Sequence, residues 1–377
     1  MKKKITEPYL ATYFHSKGRR LGLPISGSFE LTSRCNFNCP MCYVHNSSED
    51  AEAMKKELTA EQWISIAQSA SDRGMIFALI TGGEPFLRND FFEIYSAMKK
   101  MGLLVSINSN GSMINGSVLD RLLSDPPTRL NISLYGGCNE TYKKMCGIAM
   151  YDQVFENIRA LKNAGVDVRL NVSITQHNEQ DIEKIFRTAE QLGVVAKAVS
   201  YMYPPVRING GKFGVNERLT PVKAAECTLR WDALRFDDET FKQRVKNLMS
   251  LRDTERDECS SDIDEGVGCR AGTSSFWVTW DGKMQSCGMM PCPSVYPLQV
   301  GFDNAWEYIK AETKKIHLPP ECVSCPKKGA CFSCAAVCYT ETGCFDKVPE
   351  YVCQMTDATI DLTHKIYAER FGKEDNE

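Results

Sequence analysis

Three cysteines within eight residues are the feature that most constrains this chain. Cys35, Cys39 and Cys42 have a CxxxCxxC spacing, and Tyr43 follows the last of them. Cysteine is the standard ligand of a [4Fe–4S] cluster, which normally takes four. Three local ligands therefore leave one iron open to a reactant, as a catalytic zinc site keeps one open position. The alternative is a structural zinc site or unconnected thiols, although zinc sites usually have paired CxxC units.

The composition limits the classes of protein to consider. A net charge of −3 and a hydrophobic content of 43% are typical of a soluble globular protein, and they give no indication of nucleic-acid or membrane binding. The basic start at Met1 is not followed by an apolar core, so it does not resemble a signal peptide. No apolar run is long enough to span a bilayer. We therefore expect a cytoplasmic enzyme.

The cysteines are numerous and unevenly distributed. Eleven of the 17 lie from Cys259 onward, far from the first motif. In a reducing cytoplasm, clustered cysteines indicate metal rather than disulfides, so two metal-bearing regions are predicted. The length of 377 residues suits one large and one smaller domain. We predict a lead-in at 1–27, a first domain at 28–211, a helical bridging segment at 212–258 and a cysteine-rich domain at 259–377.

Strand and helix patterns alternate about six times between residues 27 and 202, with glycine at helix ends. This alternation predicts a parallel α/β sheet, and six units fall short of the eight of a closed barrel. We therefore predict a partial, open (β/α)₆ barrel of the TIM type, with active groups at the C-terminal ends of its strands. Residues 46–57 are polar and are expected to form an exposed loop. Residues 276–282 run into an Asp-Gly turn and predict a β-hairpin, followed by helices.

Polar residues stand where predicted strands end. Gly82 and Gly83 allow close approach of a ligand to the backbone, and Glu84 offers a negative partner for an ammonium group. Further polar side chains lie at the end of the third predicted strand and at alternate positions of the fourth and fifth. Such side chains would be costly in a dry core. A polar ligand inside the barrel explains them better; they are Asn108, Ser109, Asn131, Ser133, Arg169 and Asn171.

The CxxxCxxC loop followed, one strand later, by Gly-Gly-Glu-Pro resembles the radical S-adenosylmethionine (radical SAM) family. The resemblance implies that the SAM amine and carboxylate bind the open iron. One electron then cleaves SAM to methionine and a 5′-deoxyadenosyl radical, which abstracts hydrogen from the substrate. It also implies contacts to SAM: the amine with Gly82, Gly83 and Glu84; the ribose with Asn108 and Ser109; the carboxylate with Ser133 and Arg169, beside Asn171; and the adenine with Tyr43 and Ile174.

The C-terminal cysteines resemble a SPASM domain, which implies two auxiliary [4Fe–4S] clusters and three clusters in all. By this resemblance, the outer auxiliary cluster is held by Cys322, Cys325, Cys331 and Cys353. The inner one, nearer the barrel, is held by Cys269, Cys287 and Cys334. The alternative is a pair of structural zinc sites, because CxxC pairs also suit zinc.

One spacing departs from the SPASM pattern. Two residues separate Cys331 from Cys334 where the family has three, which leaves Cys334 or Cys338 as the ligand. Cys259 is the candidate for the fourth ligand of the inner cluster. Without it, that cluster has an open iron that can bind substrate directly.

SPASM enzymes resemble one another in acting mainly on peptides and proteins. We therefore expect a maturase of ribosomally made peptides that forms thioether or carbon–carbon bonds, or modifies side chains oxidatively. A sulfatase-maturating enzyme is an alternative, but Gly288 stands where that group has an aspartate after the cysteine matching Cys287. A small-molecule dehydrogenase or decarboxylase would carry the same motifs, and a metal-stabilised binding or electron-transfer protein would explain the cysteines without catalysis. Cys138 and Cys146 are candidate hydrogen donors to a substrate radical.

The resemblance also implies partners. We expect a peptide or protein substrate and an electron donor such as flavodoxin or ferredoxin. Only 34 residues precede Cys35, so we expect either a separate leader-binding protein or a short peptide recognised in another way. Nucleic acid and membranes are not expected as partners.

Overall fold

The computed structural model describes residues 7–44, 46–205, 217–251 and 266–371. Cys259 lies outside the described residues, as do the predicted domain boundaries between 211 and 212 and between 258 and 259. No helix within the described ranges is long and apolar enough to cross a membrane.

A nine-stranded sheet forms the centre of the molecule. All six predicted strands are present as neighbours in parallel register, and the sheet is open because its two edge strands are not paired with each other. The predicted partial (β/α)₆ barrel is therefore confirmed. These strands are β1 (Ser26–Glu30), β4 (Phe77–Thr81), β5 (Leu104–Ser109), β6 (Arg129–Ser133), β7 (Val168–Ser173) and β8 (Val195–Val199). Two short strands, β2 (Arg34–Cys35) and β3 (Asn46–Ser47), pair separately.

Helices cover the outer face of the sheet because one face of each strand is apolar. Val105, Ile107, Leu130 and Ile132 are fully buried, while the residues between them are polar or half-exposed. A capping box at Thr59 begins α3. The barrel helices are α3 (Ala60–Asp72), α4 (Phe91–Lys100), α5 (Gly116–Ser124), α6 (Asn139–Cys146), α7 (Tyr151–Asn163) and α8 (Ile182–Leu192).

The prediction of an exposed loop at residues 46–57 is wrong. The segment contains β3 and a helix, α2 (Ala51–Lys56), and ends at Glu57, whose side chain is only 7% exposed. Glu57 binds Arg34 through two hydrogen bonds of 2.8 and 3.0 Å and contacts Arg88 at 3.3 Å. The polar composition that suggested a solvated loop thus includes a buried ion-pair network.

The predicted lead-in contains a helix, α1 (Glu7–Leu21), that is tied to the C-terminal half. His15 Nδ1 lies 2.9 Å from Ser274 Oγ. After the helix, the carbonyl of Gly22 accepts a hydrogen bond of 2.7 Å from Trp306 Nε1. The start of the chain therefore packs against sequence more than 250 residues away.

The predicted β-hairpin is present, and it extends the barrel sheet. β9 (Ser275–Val278) turns at Gly282, pairs antiparallel with β10 (Met284–Gln285), and also pairs parallel with β1. β11 (Ser294–Val295) completes this edge.

Further helices come from the bridging and C-terminal segments. α15 packs on α9 and α10, which brings the end of the chain against the bridging segment. These helices are α9 (Pro221–Arg235), α10 (Asp238–Met249), α11 (Pro297–Val300), α12 (Phe302–Thr313), α13 (Pro320–Val323), α14 (Ala335–Thr342) and α15 (Glu350–Ile366), the last continuing as a π-helix over Tyr367–Phe371.

Candidate functional site

The cysteine loop and the Gly-Gly-Glu turn are joined backbone to backbone. Gly83 N donates to Thr32 O at 2.7 Å, and Glu84 N donates to Arg34 O at 2.8 Å. A Cβ atom added to Gly83 would lie 2.1 Å from Arg34 O, and one added to Gly82 would lie 2.3 Å from Thr32 O. Only glycine permits this approach, so the turn fixes the segment that leads into Cys35.

Glu84 is fully buried beneath this turn. Burial raises its pKa to about 7, although hydrogen bonds from Asn110 N, Phe86 N and the Ser109 hydroxyl favour the ionised form. The Ser109 hydroxyl lies 3.0 Å from both carboxylate oxygens, and Asn110 N lies 2.8 Å from one of them. Glu84 thus connects the turn to the C-terminal end of β5, and Ser109, predicted to bind ribose, is engaged in that connection.

A cavity of about 880 Å³ opens at the C-terminal ends of the strands. It brings together most of the residues predicted to bind the cluster or SAM: Cys35, Cys39, Cys42, Tyr43, Gly82, Gly83, Asn108, Ser109, Ser133 and Ile174. Asn131 Nδ2 donates to Asn108 Oδ1 at 2.9 Å and orients that side chain.

Three other predicted SAM contacts do not line the cavity in the described part of the chain. Glu84 lies beneath its wall. Arg169 is deeper along β7, in register with Asn131, and its guanidinium is 3.9 Å from Asp167. Asn171 is exposed, in register with Ser133. Their roles toward SAM stay predictions.

The three thiols of the loop share one environment. Cys35, Cys39 and Cys42 line one cavity, and burial, reinforced by Glu84, raises the pKa of Cys35 to about 12. A thiol with this pKa is protonated at neutral pH, so binding to iron would release its proton. Within the described ranges, no three His, Cys, Asp or Glu side chains are grouped to hold a single ion.

The two candidate hydrogen donors occupy different surroundings. Cys146 is fully buried at the end of α6, and its nearby thiol, together with burial, raises the pKa of the Cys39 thiol. Its carbonyl accepts from Asn38 N at 2.9 Å. Cys138 lies at the start of α6 beside Thr141, outside the cavity lining. The structure therefore joins Cys146 to the cluster loop and leaves Cys138 apart from it, and neither role is tested.

The three cysteines predicted for the inner auxiliary cluster converge on Tyr203. Burial raises the pKa of the Tyr203 phenol, and the nearby thiols of Cys334, Cys287 and Cys269 raise it further. Tyr203 also lines the cavity. The inner cysteine group therefore lies behind a residue that faces the cluster loop.

The cysteines predicted for the outer auxiliary cluster also lie together. Burial raises the pKa of Cys353 to about 11, with contributions from Cys322, Cys331 and Cys325. Cys338 adds a fifth thiol, since it neighbours Cys322 and Cys331. Of the two cysteines left open by the irregular spacing, Cys334 therefore lies with the inner group and Cys338 nearer the outer one.

Several lining residues were missed by sequence reasoning. Lys197 on β8 continues the row of Ser133 and Asn171, so period-2 alternation offered a signal for it. Those that come from the bridging helices and the C-terminal region carry no local signal; they include Cys227, Trp231, Asp232, Arg235, Arg244, Met289, Phe332 and Met355.

Comparisons with known proteins agree with this geometry. Residues 29–189 match the Radical SAM superfamily. An AdoMet-dependent heme synthase of Methanosarcina barkeri is 25% identical over 333 residues, which cover 84% of this chain and 92% of that protein.

Two solved structures share the fold. Streptococcus suis SuiB bound to S-adenosylmethionine has a TM-score of 0.63 at 16% identity, covering 93% of this chain and 83% of SuiB. Native anSMEcpe with bound AdoMet has a TM-score of 0.66 at 16% identity, covering 91% of this chain and all of that one. The domain match covers the cysteine loop, the Gly-Gly-Glu turn and the strand ends described above. Residues 29–189 therefore resemble a Radical SAM domain.

Proposed function

We propose that this protein cleaves SAM reductively and oxidises a substrate held in the 880 Å³ cavity by abstracting one of its hydrogen atoms. The observation that carries the proposal is the composition of that cavity. The cysteine loop and the strand ends form one side, and Tyr203, Phe332 and Met355 contribute from beyond the barrel. A substrate between them would lie beside the SAM site and near the C-terminal cysteines.

The residues of the chain have separate tasks in this proposal. Cys35, Cys39 and Cys42 would hold a [4Fe–4S] cluster, which when bound supplies the electron for SAM cleavage. Gly82 and Gly83 keep the turn close to this loop, and Asn108, oriented by Asn131, presents a polar group to the cofactor.

The C-terminal cysteines would hold the two auxiliary clusters expected from the sequence. When bound, these clusters would accept the electron that is released when a substrate radical is oxidised. Tyr203 supports this role for the inner group, because the Cys334 thiol is near enough to perturb its pKa and Tyr203 also lines the cavity.

Two substrate classes are proposed. A small organic molecule is the first, since the heme synthase relative aligns with almost its whole length to this chain. A dehydrogenation or decarboxylation would suit that class. Peptide maturation, the expectation from the SPASM resemblance, is the second. It is favoured by the shared fold, because SuiB has also been solved bound to its precursor peptide SuiA.

The test begins with protein reconstituted without oxygen. We expect about twelve irons per chain, as in three [4Fe–4S] clusters, and 5′-deoxyadenosine after SAM and a reductant are added. Cys292→Ala is the matched control, because Cys292 is exposed and belongs to neither cysteine group. About four irons would move the C-terminal array toward zinc. A fully loaded protein that forms no 5′-deoxyadenosine would overturn the proposal and favour electron transfer.

A further inference from the structure

Resting on the proposed function, we infer that the cavity selects a small substrate that carries carboxylate groups. The recognising surface is formed by Lys197, Arg235 and Arg244, which we call the basic wall. All three line the cavity that also contains the cysteine loop. No role in the SAM site was predicted for any of them.

The charge of the cavity lining is strongly unbalanced. Its charged residues in the described part of the chain are the three cations of the basic wall and one acid, Asp232. Asp232 is buried, and its carboxylate binds Arg244 Nε at 2.6 Å and Arg235 Nε at 3.2 Å. One carboxylate thus orients two guanidinium groups and can neutralise only one of them.

The contacts to Asp232 leave the tips of both arginines available. Each is made through Nε, and no second acid among the described residues pairs with either guanidinium. About 40% of each side chain is exposed. An arginine held in this way presents a planar pair of donors that matches a carboxylate.

Lys197 adds a third cation from the barrel itself. It lies on β8, the edge strand far from β1, in register with Asn171. No described residue forms an ion pair with it. The cysteine loop follows β1, so Lys197 lies across the barrel mouth from the cluster-binding side. A substrate anchored on the wall by its carboxylates would extend its body toward the SAM site.

The remaining lining indicates an apolar substrate body. Tyr201, Met202, Met289, Phe332 and Met355 contribute apolar or aromatic surface to the same cavity. A volume of about 880 Å³ is within the range of small-molecule sites. An apolar body with a carboxylate edge fits this arrangement better than an extended neutral peptide.

Metal-free protoporphyrin IX and its dimethyl ester are suitable probes, because they share one apolar body and differ in carboxylate charge. Binding of each to the reconstituted full-length enzyme with SAM is measured by fluorescence titration. We expect the acid to bind at least about tenfold more tightly than the ester. Arg235→Gln and Arg244→Gln should each weaken binding of the acid about tenfold and leave binding of the ester unchanged.

Arg230→Gln is the matched control. Arg230 lies on α9 like Arg235, but it pairs with Glu183 at 2.8 Å and does not line the cavity. Its substitution should change neither affinity nor 5′-deoxyadenosine formation. If an arginine variant fails to fold because Asp232 loses its partner, Lys197→Gln keeps the inference testable, since no ion pair is lost.

Equal affinities for the acid and the ester, or affinities for the acid that none of the three substitutions changes, would overturn the inference. Displacement of the porphyrin by a hexaglutamate peptide that depends on the same cations would instead assign the wall to an acidic peptide and overturn the small-molecule assignment. Formation of 5′-deoxyadenosine without added substrate is measured separately. Its absence alongside wall-dependent binding would contradict the proposed function and leave the inference standing.

Discussion

The two cysteine regions of this protein are built in different ways. The first is contiguous: Cys35, Cys39 and Cys42 lie in one loop, which is fixed by backbone hydrogen bonds to the Gly-Gly-Glu turn and by the buried Glu57 network. The C-terminal groups are assembled from the β9–β10 hairpin and the segments from α13 to α15, and the inner group lies beside the half-buried Tyr203. A local site is encoded by spacing, whereas an assembled site depends on the packing of distant segments.

A second difference lies in how each region is attached to the barrel. Arg34, directly before Cys35, is held by a bidentate contact with Glu57. Besides the pairing of β9 with β1, the C-terminal region is attached through Glu341 on α14, which accepts from Tyr201 at 2.7 Å and from Arg218 at 2.6 Å. Disturbing Glu57 should therefore affect SAM cleavage itself, and disturbing Glu341 should affect what happens to the substrate.

The largest effect is expected for Gly83→Ala. The added Cβ would lie 2.1 Å from Arg34 O, so the turn and the cysteine loop cannot keep their contact. Formation of 5′-deoxyadenosine should be abolished in the reconstituted protein, and iron bound at the first region should be lost. Gly329→Ala is the control, since its nearest neighbour would be 3.9 Å away. Normal activity of Gly83→Ala would show that the close approach is dispensable.

Glu57→Gln should lower the free energy of unfolding by about 3 kcal/mol, because it leaves buried arginine charge without its acid partner. Glu57 is 7% exposed and contacts both Arg34 and Arg88. Denaturant unfolding of Glu57→Gln and of Glu52→Gln makes the comparison. The Glu52–Lys55 pair is exposed, so its loss should cost less than about 0.5 kcal/mol. Equal effects of the two substitutions would show that Glu57 does not stabilise the first cysteine region.

Glu341→Gln should cost about 2 kcal/mol, since it weakens hydrogen bonds to a charged acceptor. The informative comparison is between SAM cleavage on one side and C-terminal iron content and substrate turnover on the other. Cleavage of SAM without substrate should persist, while iron at the C-terminal cysteines and substrate turnover should fall. Loss of SAM cleavage with the C-terminal iron intact would contradict the claim that Glu341 serves the C-terminal region rather than the SAM site.

The smallest effect concerns the contact between α1 and β9. Burial, and secondarily Arg270, lowers the pKa of His15 from 6.5 to about 4. Between these values the unfolded chain binds a proton that the folded protein does not, so stability is present above pH 6.5 and falls as the pH drops toward 4. We expect about 1–2 kcal/mol less unfolding free energy at pH 4.5 than at pH 7 from this group.

The measurement is denaturant unfolding of the wild type and His15→Asn at both pH values. The substitution should remove that part of the pH dependence, and changes common to both proteins cancel in the difference. Identical pH dependence in the two would mean that His15 does not titrate differently on folding.

Local pattern explains why the barrel and its first site were predictable. Alternating strands with glycine-ended helices predicted β1 and β4–β8, and the spacing of Cys35, Cys39 and Cys42 predicted the loop at their mouth. The burial of Glu57 and the contact between Cys146 and Cys39 were not predictable, because each depends on a residue brought from elsewhere in the chain.

The same limit applies to the basic wall. Arg235 and Arg244 lie on bridging helices whose sequence is rich in charge, so nothing local distinguishes them from solvated surface residues. Only their shared contact with the buried Asp232 identifies them. The pairing of β9 with β1 likewise joins the C-terminal hairpin to the barrel through a partner almost 250 residues away.

The most direct test of two metal-bearing regions with separate tasks is the triple variant in which Cys35, Cys39 and Cys42 are replaced by alanine. Iron is counted after reconstitution without oxygen, and 5′-deoxyadenosine is measured with SAM and a reductant. We predict about eight irons, as in two remaining [4Fe–4S] clusters, and no 5′-deoxyadenosine. Unchanged iron content, or 5′-deoxyadenosine formed without these three thiols, would contradict the account.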